Sequence, residues 1–171
     1  MTDAPEHIGA SRSPATDVCA KKPSRAFLVA SWAFVALMLA LIFFMSSRSG
    51  EMLNTGSGII SIVRDMLIAA STALLGHPVD VSPIGHFTEF FLLGLALANA
   101  LRLSLPSRRA MVCAILIASA YGVTDELHQI FVPGRTCDPM DWIVDTIAAA
   151  LAVTLFAFIV RLKRKRRNSH A

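Results

Sequence analysis

The sequence predicts an all-α integral membrane bundle of four transmembrane helices, with a further amphipathic helix at the outer interface. Three observations point there. Of 171 residues, 54% are hydrophobic and only 16% charged, with a mean hydropathy of +0.58, whereas soluble domains are nearer one quarter charged. The charges lie at the chain ends and in short clusters between long apolar runs, the arrangement a bilayer imposes by excluding ionisable groups from its hydrocarbon. Lys and Arg also flank the apolar runs asymmetrically.

Residues 26–47 contain no charge. As a helix they cover roughly 33 Å, enough to cross a hydrocarbon core of about 30 Å. Lys21, Lys22 and Arg25 precede them, as they would in a secretory signal. The run is longer than the roughly 7–15 residues of a signal core, and no A-x-A-like site follows it, so an uncleaved first span is expected. Residues 1–25 are polar and contain Pro and Ser, and are expected to be a disordered cytoplasmic tail.

A long outer loop follows. Within it residues 56–76 read as a helix whose Ser57, Ser61, Arg64, Asp65, Ser71 and Thr72 share one sector. Ile59, Ile60, Ile62, Val63, Met66, Leu67 and Leu74 lie elsewhere, and Ile68 breaks the pattern. This is an interfacial helix, with a re-entrant segment as the alternative. Gly76, Pro78 and Pro83 then break the chain.

Three further spans are expected at about 84–101, 110–131 and 141–160, so that residues 26–161 form the membrane domain and 162–171 a basic cytoplasmic tail. The apolar runs 90–101 and 110–124 are too short to cross alone. They reach full length only through His86 and Glu89, or through Asp125, Glu126 and His128; the last span carries Asp145 near its start.

Orientation follows from the basic residues. With both termini cytoplasmic, 13 Lys and Arg lie inside and three outside, namely Arg48, Arg64 and Arg135. All acidic residues but Asp3, Glu6 and Asp17 then lie outside. The tail RLKRKRRNSHA is expected to meet anionic lipid, at roughly 1 kcal/mol per basic residue near the surface.

The net charge of +4 therefore reads as a topology signal, and no nucleic-acid motif accompanies it. Cys19, Cys113 and Cys137 form neither a CxxC pair nor an even-numbered disulfide framework. Two His and several carboxylates would satisfy zinc chemically. No HExxH or similarly dense ligand motif is present, however, so neither a metal nor a cofactor is expected. No Ser or Cys sits in a nucleophile elbow.

The most informative stretch runs from Tyr121 to Asp145, YGVTDELHQIFVPGRTCDPMDWIVD. Helical spacing puts Tyr121, Asp125, His128 and Gln129 on one face and Glu126 on its neighbour. The helix must end by Pro133. Pro133 and Gly134 then form a tight turn carrying Arg135. Asp138 reads as an N-cap followed by Pro139, with Asp141 in the first turn. Asp141 and Asp145 share one face, as do His86 and Glu89. All these groups fall in one leaflet and should turn inward and meet. A network that merely locks the helices together is one reading, with Arg135 neutralising carboxylates and Asp125 and Asp141 serving as turn or cap residues. The other is a pocket with ligand-binding residues His86, Glu89, Asp125, Glu126, His128, Gln129, Arg135 and Asp141, in which His128, Glu126 and Asp125 are candidate acid and base groups.

At these residues the chain resembles the VanZ-like family of bacterial membrane proteins. The likeness rests on GHFTEFFLLG (85–94), YGVTDELHQIFVPGRT (121–136), the following Asp141 and Asp145, and FMSSRSG (44–50). It implies a multi-pass protein of the bacterial cytoplasmic membrane. The family's founding member is associated with resistance to a lipid-tailed glycopeptide antibiotic. Where relatives often carry Lys before the motif His and Tyr after the motif Glu, this chain has Pro83-Ile84-Gly85 and Phe90; a Gly common in the last span is Ala148.

The expected partners are thus the bilayer and an envelope lipid, cell-wall precursor or lipoglycopeptide, bound in an outward pocket. A membrane-embedded acid/base enzyme acting on an envelope lipid is the alternative. A transporter is disfavoured, since the spans carry no charge at mid-membrane.

Overall fold

The computed structural model describes residues 23–48, 59–77 and 82–169. The expected disordered tail therefore lies outside the described residues, apart from its last three. Within them the chain forms five helices: α1 (Arg25–Ser46), α2 (Ile59–Leu75), α3 (Ser82–Leu101), α4 (Ser107–Gln129) and α5 (Pro139–Ser169). No strand occurs among the described residues. All but α2 are long and apolar enough to cross a membrane.

Local chemistry sets the helix ends. Ser24 caps α1 by accepting a hydrogen bond from the Phe27 N–H at 3.2 Å, relieving one of the orphan donors of the first turn. Gly76 ends α2 with φ +78°, a left-handed conformation that glycine takes without steric cost. Its N–H closes on Thr72 O at 2.9 Å. α4 gives way to a turn in which Arg135 N–H donates to Val132 O at 3.1 Å, with Pro133 next and Gly134 at φ +76°. Pro at the second position and a left-handed Gly at the third are what this turn type requires. Asp138 then caps α5, its carboxylate accepting from Met140 N–H at 2.9 Å. α5 continues to Ser169, well past residue 160 where the expected span stops. Its 31 residues make about 46 Å of helix, longer than the hydrocarbon is thick.

The bundle is built on α3, which packs against α1, α4 and α5. Its interior sets Phe90, Ile42, Leu93, Leu97 and Val153 among many small residues. Ala98 and Ala100 of α3, Ala110, Ala114 and Ala118 of α4, and Ala148, Ala149 and Ala152 of α5 are fully enclosed. The α4 set repeats every fourth residue and ends at buried Gly122. Such ladders let helix backbones approach closely where lipid removes the usual hydrophobic drive. Many other large apolar residues face outward, among them Phe34, Leu37, Leu41, Phe44, Leu116, Leu151 and Phe158. A surface of that kind belongs in lipid, since soluble monomers rarely expose such contiguous apolar area.

Several side-chain hydroxyls on the spans are satisfied locally. Ser31, Thr88 and Thr154 each donate to the carbonyl four residues earlier, at 2.7–2.9 Å, as hydrocarbon surroundings require. The amphipathic helix is found as α2, residues 56–58 of its expected range lying outside the described residues, and it stands apart from the main interhelical packing. Ile62, Val63, Met66, Leu74 and Leu75 are all exposed, while Ser71 and Thr72 both donate to Ile68 O at 2.8 Å.

The tightest approach is between α3 and α5. A Cβ built on Gly94 would lie 2.9 Å from Ala149 O and 3.0 Å from Ala149 Cα, and backbone atoms cannot step aside as a flexible side chain would. Gly94→Ala should therefore destabilise the bundle by about 1–3 kcal/mol through overpacking, read as a lower thermal midpoint in detergent. Gly85→Ala, whose Cβ meets nothing within 4 Å, should leave the midpoint in place.

Candidate functional site

α3 and α5 both begin at the end of the bundle where α1 and α4 finish. That up-and-down order collects His86, the last two turns of α4 and the first two turns of α5 at one end. Arg25, Arg102, Arg108, Arg109 and the basic run of α5 from Arg161 onward collect at the other.

His86 lies in the second turn of α3 and is only 6% exposed. Its two ring nitrogens face two different aspartates of α5. Nδ1 lies 3.4 Å from Asp145 Oδ1, and Nε2 lies 3.9 Å from Asp141 Oδ2. Asp145 is 0% exposed. Its carboxylate oxygens, like His86 Nδ1, have no hydrogen-bond partner of good geometry among the described residues. Room for Asp145 comes from α4: a Cβ at Gly122 would stand 3.3 Å from Asp145 Oδ2 and 3.2 Å from Trp142 Cδ1.

The α4 residues extend the cluster. Gln129, 2% exposed, donates from Nε2 to Asp125 Oδ2 at 3.1 Å and to Glu126 Oε1 at 3.4 Å. Glu126 Oε2 accepts the backbone N–H of Asp138 at 2.8 Å. One carboxylate thereby holds the cap of α5 against the end of α4. One ligand atom each from His86, Glu126 and Asp141 lies within 4.8 Å of the others. A polar seam continues down α4 and α5, where Trp142 Nε1 donates to Ser119 O at 3.2 Å and the hydroxyls of Ser119 and Thr146 meet at 2.9 Å.

His128 goes elsewhere. Its Nε2 is 3.0 Å from Ser47 Oγ at the end of α1, and its ring lies 4.5 Å from that of Phe43. Two turns earlier on the same face, Tyr121 O–H donates to Leu39 O at 2.7 Å. The predicted face of Tyr121, Asp125, His128 and Gln129 therefore divides, Tyr121 and His128 binding α1 while Asp125 and Gln129 join the acidic cluster. Glu89 lies one turn beyond His86 and is half-buried, as is Arg135. The Arg135 Nε is shut away from solvent without a hydrogen-bond partner among the described residues.

The VanZ/LLP1 family model matches residues 31–161, so the match includes all of these groups. The chain belongs to the VanZ/LLP1 family. No curated protein and no solved structure matches it significantly. In VanZ/LLP1 terms, the matched region begins inside α1 and ends in α5 just past the apolar run, leaving most of the basic extension outside.

Sequence reasoning missed Ser47 as the partner of His128, although the FMSSRSG motif contains it. It also missed the backbone role of Glu126 and the complete enclosure of Asp145. Glu126→Ala should leave the Asp138 N–H without its acceptor and cost about 1–3 kcal/mol, while Glu126→Gln retains an acceptor and most of the stability. Unfolding titrations of the purified protein in mixed micelles would read the difference.

Proposed function

We propose that the polar end of this VanZ/LLP1 protein is an outward-facing pocket that binds the head of a lipid-linked or amphiphilic envelope ligand, such as a cell-wall precursor or a lipoglycopeptide. One observation carries the reading: His86, Asp125, Glu126, Gln129 and Asp145 are buried together at one end of a bundle whose remaining interior is mostly alanine and aliphatic. Polar groups at that depth are costly, and in membrane proteins they mark ligand and ion sites more often than packing. Carboxylates suit sugar hydroxyls and ammonium groups, and Arg135 suits a phosphate or carboxylate. The exposed apolar face of α2, connected to the same end of the bundle, supports an acyl chain lying alongside.

The basic residues gathered at the opposite end support a cytoplasmic location for both termini in a bacterial cytoplasmic membrane. Cys137 tests this directly, being exposed on the connection before α5. In a Cys19→Ser background, a membrane-impermeant maleimide should label Cys137 in intact spheroplasts. Labelling that requires membrane disruption would reverse the orientation.

Binding is tested with wild type and His86→Ala in lipid nanodiscs, titrated with a lipid-linked cell-wall precursor and with a lipoglycopeptide. Wild type should bind one of them and the variant at least about tenfold more weakly, a loss of about 1.4 kcal/mol. Equal affinities, or no binding by wild type, would sink the pocket reading.

A second reading is a membrane-embedded acid/base enzyme acting on an envelope lipid. It is favoured by the imidazole of His86 between two aspartates and by the contact of His128 with the Ser47 hydroxyl. It predicts a lipid species that changes between cells carrying wild type and cells carrying His86→Ala or His128→Ala. Identical lipid profiles across the strains would remove it.

A further inference from the structure

The contacts of His86 have the form of a metal ligand. A protonated imidazole between two carboxylates draws them in to about 2.7–2.9 Å. Here the aspartates stand off at 3.4 and 3.9 Å, and neither oxygen of Asp145 completes a hydrogen bond among the described residues. A separation of 3.9 Å is too long for a hydrogen bond. It falls within the roughly 3.0–4.2 Å that separates two ligands each about 2.1 Å from a common ion. Because one atom each from His86, Glu126 and Asp141 lies within 4.8 Å of the others, simple triangle geometry leaves a point no more than about 2.8 Å from all three, a small contraction away from zinc bonding distances.

We infer that His86, Glu126 and Asp141 form a binding site for a divalent transition ion of the zinc class. Two of the three proposed ligands have an outer contact. His86 presents Nε2 to Asp141 while Nδ1 stands 3.4 Å from Asp145 Oδ1, the side on which metal-bound histidines carry an outer carboxylate, with no hydrogen bond completed between the two. Glu126 is held by the Asp138 N–H and by Gln129, and ligating carboxylates are hydrogen-bonded in the same way. Charge agrees as well. Two ligating carboxylates, with Asp125 and Asp145 close by, supply the negative charge that a divalent ion needs where an uncompensated ion is expensive. The nitrogen ligand selects against magnesium and calcium, which prefer all-oxygen sets. Three protein ligands leave a position for water. The ligands come from α3, α4 and α5, three segments far apart in sequence, which is why no dense motif signals the site.

The site does not depend on the envelope-ligand reading, because occupancy is measured on the protein alone. Untagged full-length protein in detergent is stripped with chelator and dialysed against zinc, cobalt, magnesium or calcium. Elemental analysis should find one zinc per chain, zinc should raise the thermal midpoint, and cobalt should give the visible d–d bands of a low-coordinate site. His86→Ala should abolish those bands. Asp145→Asn should weaken zinc by about 10–100-fold, and Asp141→Asn, which alters a direct ligand, by at least as much. Failure of the folded wild-type protein to bind zinc or cobalt overturns the inference without needing any variant. So does tighter binding of calcium or magnesium, or zinc binding that survives His86→Ala.

Discussion

The parallel contact of α3 with α5 holds the polar end in register. At Gly94 the two backbones approach so closely that a Cβ would meet the Ala149 carbonyl. Eight residues toward the N-terminus on each helix stand His86 and Asp141, which also meet. A helix rises 1.5 Å per residue, so eight residues is about 12 Å on both sides. The tight crossing and the polar contact are therefore two points on one shared register. A shift of either helix by one turn at Gly94 would carry His86 away from both aspartates. α4 completes the arrangement from the third side, its alanine ladder closing on the same core and its Gly122 leaving space for Asp145.

The solvent explains where polarity is permitted. Most hydroxyls on the spans turn back on their own helix, and at the basic end Asn99 links Ser31 to Arg102. The other polar contacts between helices run from the middle of the bundle to the acidic end. Trp142, Ser119 and Thr146 join α4 to α5, Tyr121 and His128 join α4 to α1, and His86 joins α3 to α5. Single contacts of this kind between membrane helices average only about 0.6 kcal/mol. The close packing of the helices must carry much of the assembly.

The fold was legible because a bilayer demands length. Residues 26–47 carry no charge over a full crossing, and that reads directly off the chain. The shorter apolar runs had to recruit Glu89, Asp125 and His128 to make up the distance, which also placed the polar groups at one end. What a single helix cannot disclose is which neighbour each of its faces will meet. His128 and Gln129 are adjacent in sequence, yet one turns to Ser47 of α1 and the other to Asp125 and Glu126. Helical spacing grouped them, and tertiary packing separated them. The enclosure of Asp145 was hidden for the same reason, since it depends on a glycine on a different helix. α5 runs on past the span expected at about 141–160. Lys and Arg are good helix formers, so the helix continues where the apolar run stops.

The small-residue ladder of α4 has an evolutionary consequence. In a water-soluble domain the core resists drift while the exterior wanders through the polar alphabet. Here the buried ladder of Ala110, Ala114, Ala118 and Gly122 admits almost nothing larger, whereas outward positions such as Leu37, Leu116 and Leu151 need only remain greasy. Lineages should therefore diverge by exchanging one bulky aliphatic or aromatic for another around the circumference. Size at the centre, more than hydrophobicity, should be what selection guards.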